Sequence, residues 1–402
     1  MAPNQDFKSA NLIAAVHTRG KLRRNLEETM HYIKGLNALR ALSVALVIMS
    51  HVGILAAVSS PALKSFFTVF NAFTGVMFFF VISGFLITTL LIAEKERTGT
   101  IGIKNFFARR ALRILPLYYL ALLIAALFGF FGVQKIPVEA LINGVTYTYN
   151  FVQQKHNVGF LSHLWSLAVE EQFYLIWPFL FLLMIGKPWR LVVLCMVCTL
   201  ICYSVARSFN WYDPIHNIYY LGRWFIPAAY PIFIGCIFAL VLHYNAAAKR
   251  MLGSWACLAI ALAFLAVPLV FRHTLSSLNQ QYLVAVGVGL LICWISRNQH
   301  RKTVQALEVG PIAYMGKISY GLYVWQGIFT GNGNIDSHHW PPQPFAIGVA
   351  LTLVVSVISY HWFEMPFLRM KKRFSWTNSA AQASTELYLA SQLSGPNGRR
   401  PA

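Results

Sequence analysis

Residues 161–178 read LSHLWSLAVEEQFYLIWP, and the apolar run continues through FLFLLMI at 179–185. From Leu167 onward this is about the twenty apolar residues that a helix needs to cross the hydrocarbon, where the backbone must satisfy its own hydrogen bonds. Two adjacent carboxylates, Glu170 and Glu171, fall one to two turns inside it. At that depth a carboxylate pair is costly without cations or hydrogen-bond donors beside it. The segment therefore predicts a membrane helix with polar partners. On the helix Glu170 shares a stripe with His163, Ser166 and Tyr174, while Glu171 turns about 100° away, toward Leu164, Leu167 and Leu175.

Nine further runs of similar character flank it. Spans are expected near 36–58, 66–92, 114–133, 167–185, 190–206, 224–243, 252–271, 281–296, 311–330 and 345–363. The chain of 402 residues is 57% hydrophobic and only 11% charged, outside the range of soluble domains. These features predict an all-α, polytopic transmembrane helical bundle of about ten spans, with the lipid bilayer as its solvent. The net charge of +20 raises nucleic acid as a partner, but Lys and Arg fall in short gaps between apolar runs rather than on a continuous basic surface. No nucleic acid is expected. With an even span count, one side of the membrane collects most of the 33 Lys and Arg, which places both termini in the cytosol.

The chain divides into a polar cytosolic N-terminal segment (1–33) carrying Lys21, Arg23 and Arg24, a transmembrane domain (34–373), and a cytosolic tail (374–402) whose Ser, Ala, Asn, Gly and Pro predict disorder. The first segment lacks a short apolar core with a cleavage site, so no cleavable signal peptide is expected. All six cysteines lie in apolar runs and read as packing residues; neither a disulfide framework nor a metal site is predicted.

Ionisable groups inside spans direct the search for a site. His51 lies in the first span, eleven residues after Arg40. On a helix that is about 20° of rotation and about 16 Å of rise, so the two share a face. A lone buried histidine is more often a packing residue than a catalyst, yet imidazole is the side chain best suited to take and return a proton near neutral pH. Either glutamate of the fourth span is a candidate to orient His51. The sequence RRALR at 109–113 precedes the third span. Arg109, Arg110 and Arg113 on one helix suit a multidentate phosphate site, although ordinary positive-inside anchoring explains such residues too.

Together these stretches resemble the acyltransferase family 3 of integral membrane proteins. The resemblance covers roughly 34–373 and rests on GLNALR (35–40) followed by His51, FFFVISGFLIT (78–88), RRALRILPLYY (109–119), HLWSLAVEEQFYLIWP (163–178), ISYGLYVWQ (318–326) and HWFEMPFLR (361–369). It implies an O-acyltransferase that moves an acyl group, acetyl by default, from acyl-CoA (acetyl-CoA) to a carbohydrate or lipid-linked glycan acceptor, in a bacterial cytoplasmic (inner) membrane. His51 becomes the catalytic base, with Arg40, Glu170 and Glu171 assisting. Arg109, Arg110 and Arg113 become contacts to the coenzyme A phosphates. Ser83, Tyr118, His163, Trp165 and Tyr174 fall at motif or neighbouring positions expected to meet substrate. Two departures matter. Gln326 stands where members often carry a histidine, so no second histidine is expected there. The sequence also ends without the extra span that leads to an extracytoplasmic esterase-like domain, so the reaction is expected to finish within the membrane domain.

By composition alone, a transporter or flippase with a buried His/Glu path is the favoured reading. A non-catalytic receptor or scaffold would tolerate joint replacement of Arg110 and Arg113.

Overall fold

The computed structural model describes residues 33–51, 59–184, 186–208, 221–330 and 345–374. The terminal segments 1–32 and 375–402, with Lys21, Arg23 and Arg24, lie outside the described residues, as does the second part of the first expected span. Among the described residues the structure is helical and contains no strand. The principal helices are α1 (Leu36–His51), α2 (Ala72–Thr98), α3 (Ile103–Phe130), α4 (Leu164–Leu183), α5 (Pro188–Ser208), α6 (Tyr230–Tyr244), α7 (Trp255–Val270), α8 (Ser277–Arg297), α9 (Ser319–Thr330) and α10 (Phe345–Ile358).

Helices occupy all ten positions expected from the sequence, but not all are long enough to cross a bilayer. Six satisfy both length and apolarity: α2, α3, α5, α8, the stretch Gly159–Leu183 that contains α4, and the stretch Ala346–Met370 that contains α10. A seventh is added if α6 and the short helix Ala246–Leu252, bent by 113° at Asn245, count as one span. At about 1.5 Å per residue the 16 residues of α1 and of α7 reach only about 24 Å, short of a full hydrocarbon core.

Two boundaries differ from the expectation for local reasons. The second helix begins later because Asn71 interrupts the apolar run: its side chain accepts from Phe73 N (3.0 Å) and Thr74 N (3.2 Å), an N-cap that separates α2 from the helix Pro61–Val69. The third helix begins at Ile103, so the entire RRALR sequence is helical rather than a loop end.

Helix α2 is the axis of the bundle. Its apolar stretch is 67% buried, against 28% for α3 and for α5, and it packs on α1, α4, α6 and α8. Its crossing with α6 is backbone against backbone. A Cβ at Gly84 would lie 2.8 Å from the Ile232 carbonyl carbon, and one at Gly235 would lie 2.8 Å from Phe85 N. Small residues let membrane helices approach this closely where apolar side chains alone gain little over lipid.

At one end of the bundle polar segments meet: Lys34 N donates to Gln299 Oε1 (3.1 Å), Asn298 Nδ2 to Gly253 O (3.0 Å), and His243 pairs with Glu96 (2.7 Å). These are the segments that the charge pattern assigns to the cytosol. At the other end residues 134–162 form a cap from the helix Val138–Val145 and three short turns.

Candidate active site

Two polar clusters lie inside the bundle, one near each end, and α1 contributes a residue to both. The first contains Arg40. Glu170 Oε1 accepts from the hydroxyls of Ser83 and Tyr174, which lie 3.0 Å from each other. Arg110 lies over the Tyr174 ring at 5.1 Å and the Phe106 ring at 5.9 Å, a cation–π arrangement that holds a guanidinium without a carboxylate contact. Arg40 interacts electrostatically with Arg113, Glu170 and Arg110. Its Nε is buried without a hydrogen-bond partner among the described residues. The glutamate stripe read from the sequence thus faces the arginines.

Arg109, expected among the phosphate contacts, points elsewhere. Its guanidinium pairs with the buried Glu94 (Nη2 to Oε2, 2.7 Å) and donates to the Phe374 carbonyl (2.8 Å). The geometry of Arg109 is that of a strut joining α2, α3 and the turn Lys371–Phe374.

The second cluster surrounds His51. The Gln326 side chain of α9 lies against the imidazole, with the Arg223 charge in reach. His163, just before α4, is its electrostatic neighbour. His163 is only 4% exposed and Gln326 is fully buried. Both ring nitrogens of His163, Nδ1 of His51 and Nε2 of Gln326 lack hydrogen-bond partners among the described residues. Buried polar atoms are rarely left unpaired, and the nearest groups are the backbones of Phe160 and Val324 for His163 and the Gln326 side chain for His51, which makes this the second candidate place for a polar ligand. The His163 ring is packed against Gly327, where any Cβ would collide with the imidazole and with the Phe160 carbonyl. Tyr323 OH donates to His163 O (3.1 Å) and bonds Ser166 Oγ (2.6 Å).

A cavity of about 50 Å³ opens from the first cluster and reaches Ser166 and Tyr323, whose hydroxyls bond each other beside the His163 carbonyl. Arg40, Ser83 and Glu170 line it toward one end, Ser166 and Tyr323 toward the other. No described carboxylate hydrogen-bonds the His51 imidazole: Glu170 is committed to Ser83 and Tyr174, while Glu171 faces Tyr147, Tyr118 and Tyr320. Neither of the two glutamates offered for orienting the histidine therefore hydrogen-bonds it here.

Tyr118 and Trp165 hold the framework. Tyr118 is fully buried, donates to Gly144 O (2.8 Å) and stacks on Tyr147 at 4.1 Å, which fixes the cap on α3. Trp165 stacks on Phe73 at 5.7 Å beneath the Arg223 guanidinium. Gln326 carries no histidine yet occupies the place beside His51, and only its position in a family motif pointed there. Among the described residues no group of three or more His, Cys, Asp or Glu side chains is arranged to hold a metal ion.

Comparison with known proteins gives the chain its relatives and its family. The O-acetyltransferase OatA of Staphylococcus aureus (strain NCTC 8325 / PS 47) is 27% identical over 357 residues, covering 83% of this chain and 57% of its own length. A putative O-acetyltransferase, SACOL0978 of Staphylococcus aureus (strain COL), is 27% identical over 381 residues, covering 87% and 60%. The chain thus spans less than two thirds of the length of these relatives. No solved structure matches it. The acyltransferase 3 family, described as an acyltransferase domain, matches residues 33–361, a range that includes both clusters, and the chain belongs to that family.

Proposed function

We propose that the chain is a membrane O-acyltransferase that transfers an acyl group, acetyl by default, from cytosolic acyl-CoA to a hydroxyl of an extracytoplasmic or lipid-linked glycan. The observation that carries this reading is the pair of buried clusters to which one helix contributes, a cationic one at Arg40, Arg110 and Arg113 and an imidazole one at His51, with a cavity that runs from Arg40 to Ser166 and Tyr323 beside the His163 carbonyl.

Donor phosphates bind the cationic cluster, and the pantetheine arm extends along the cavity toward His51. His51 takes the proton of the acceptor hydroxyl as its oxygen attacks the thioester carbonyl. The C–O bond forms, the C–S bond breaks, and the proton passes to the departing thiolate. His163 and Gln326, each with an unpaired polar atom beside His51, hold the acceptor hydroxyl or the developing oxyanion. On the family's pattern the enzyme resides in a bacterial cytoplasmic membrane, with the arginines on the cytosolic side. The relatives' names as O-acetyltransferases support acetyl as the donor group.

The test is release of free coenzyme A thiol from acetyl-CoA by purified protein in nanodiscs, with a glycan acceptor present. His51→Ala is expected to abolish release while the protein stays folded. Near-normal turnover by that variant would refute the role of His51, and no thioester consumption by the wild-type protein with any acceptor would refute the reaction. Mass spectrometry of surface glycans from a deletion strain identifies the acceptor.

A further inference from the structure

Beyond the last membrane stretch, which ends at Met370, the chain makes one more turn, Lys371–Phe374, that packs against α3. Arg109 fixes this turn by donating to the Phe374 carbonyl while its other arm is held by Glu94. The turn therefore has a set position relative to the arginine face. That position brings Lys371 within electrostatic reach of Arg113, Arg110, Arg109 and Arg40.

The charges facing this group can be followed element by element. From α1 comes Arg40, and from α3 come Arg109, Arg110 and Arg113. Glu94 of α2 is committed to Arg109. Glu170 lies near Arg40 and Arg110, Glu171 near Arg110, and Glu364, just past α10, near Arg113. Yet among the described residues none of Arg40, Arg110, Arg113 and Lys371 forms an ion pair within 4.0 Å. Partly desolvated like charges held together without a paired carboxylate repel one another, and a bound anion would relieve that repulsion.

We infer that Lys371 is a phosphate-binding residue of the donor site, delivered to the arginine cluster by the terminal turn, and that docking of a phosphate-bearing donor depends on its positive charge. This inference rests on the proposed acyl-CoA donor and adds both a residue and a pH response to it. The ligand-free state supports the second part. Burial, with Arg113, Arg110, Arg109 and Arg40 adding to it, pushes the Lys371 ammonium down from its usual range to about 7. Above that pH the free site increasingly holds a neutral amine and must take up a proton when it binds phosphate. An arginine in its place stays charged throughout.

The experiment measures coenzyme A affinity in phosphatidylcholine nanodiscs from pH 7 to 9 for wild type, Lys371→Arg and Lys371→Gln. Dividing the wild-type affinity by that of Lys371→Arg at each pH cancels titration of the ligand. The ratio is expected to fall by on the order of tenfold or more across the range. Lys371→Gln is expected to bind weakly at pH 7, with its affinity ratio to Lys371→Arg flat across the range. Its ligand-free melting temperature should equal or exceed that of wild type, because one repelled charge is gone. Wild-type affinity in Lys371→Gln, or a flat ratio between wild type and Lys371→Arg, overturns the inference while leaving the acyltransferase reading in place. Absence of coenzyme A binding by wild type at every pH overturns both. A parallel series replacing phosphatidylcholine with phosphatidylglycerol identifies the source of the phosphate: competition that removes the Lys371 effect assigns the residue to a lipid headgroup and overturns its donor role.

Discussion

Replacing Glu170 with alanine tests the assignment of that carboxylate to the arginine cluster. The substitution removes the oxygen shared by Ser83 and Tyr174. Those hydroxyls lie 3.0 Å apart and can still bond to each other, so one donor rather than two is stranded. A stranded buried hydroxyl costs about 1–3 kcal/mol. Loss of a negative charge beside Arg40 and Arg110 adds on the order of 1–2 kcal/mol at an effective dielectric near 20. Glu170→Ala should therefore destabilise the protein by about 2–5 kcal/mol. Glu170→Gln, whose amide oxygen can keep both hydroxyls but which loses the same charge, should cost only the electrostatic part, about 1–2 kcal/mol. Denaturant unfolding in mixed micelles reads the difference. An alanine variant within about 0.5 kcal/mol of wild type would mean that the hydroxyls and arginines do not depend on Glu170, and the reasoning would fail. Kinetics give an independent check. A carboxylate that serves the arginines should, as glutamine, change KM for the donor with the pH profile of kcat unmoved. The reverse pattern would return Glu170 to His51.

Other residues give sharper local outcomes. Gly327→Ala must displace the His163 ring, because the other neighbour of the new methyl group is the Phe160 carbonyl; about a 100-fold fall in kcat is expected with a folded protein, and normal turnover would show that His163 need not be held in place. Tyr323→Phe removes the bonds to Ser166 and the His163 carbonyl and should cost about 1–2 kcal/mol in unfolding measurements. Arg109→Ala frees the terminal turn; donor affinity should fall as far as in Lys371→Gln, and the double variant should be no weaker than either single one, whereas additive losses would separate the two residues. Gly84→Leu forces α2 from α6 at their closest crossing and should eliminate folded protein, read as loss of a monodisperse detergent-solubilised species.

Much of this protein was legible in one dimension. Apolar run length requires membrane helices, and the positions of Lys and Arg assign the ends of the runs to two sides. The period of the helix places Arg40 and His51 on one face, and Glu170 with His163, Ser166 and Tyr174 on another; in the structure Tyr174 bonds Glu170, Ser166 lines the same cavity as Glu170, and His163 lies beside His51. Local chemistry beyond the apolar pattern set the boundaries that differed: the Asn71 cap delays α2, and the helix-forming sequence IKNFFARRALR starts α3 early.

The pairing of groups from different helices was not legible, because helical periodicity fixes direction within a helix and says nothing about which helix lies opposite. The sequence offered one of the two glutamates to His51, without saying which, and counted Arg109 with its two neighbours. Tertiary packing instead turns Glu170 toward Arg40 and Arg110, ties Arg109 to Glu94 and Phe374, and surrounds His51 with His163 and Gln326. Lys371 carries no role in the sequence reading; the one inferred for it depends on a terminal turn, far away in the chain, that folds onto α3. Spacing along one chain thus determined the inventory of charged groups and their faces. The crossing of α2 with its neighbours, set by where glycines let backbones touch, decided which of those groups meet.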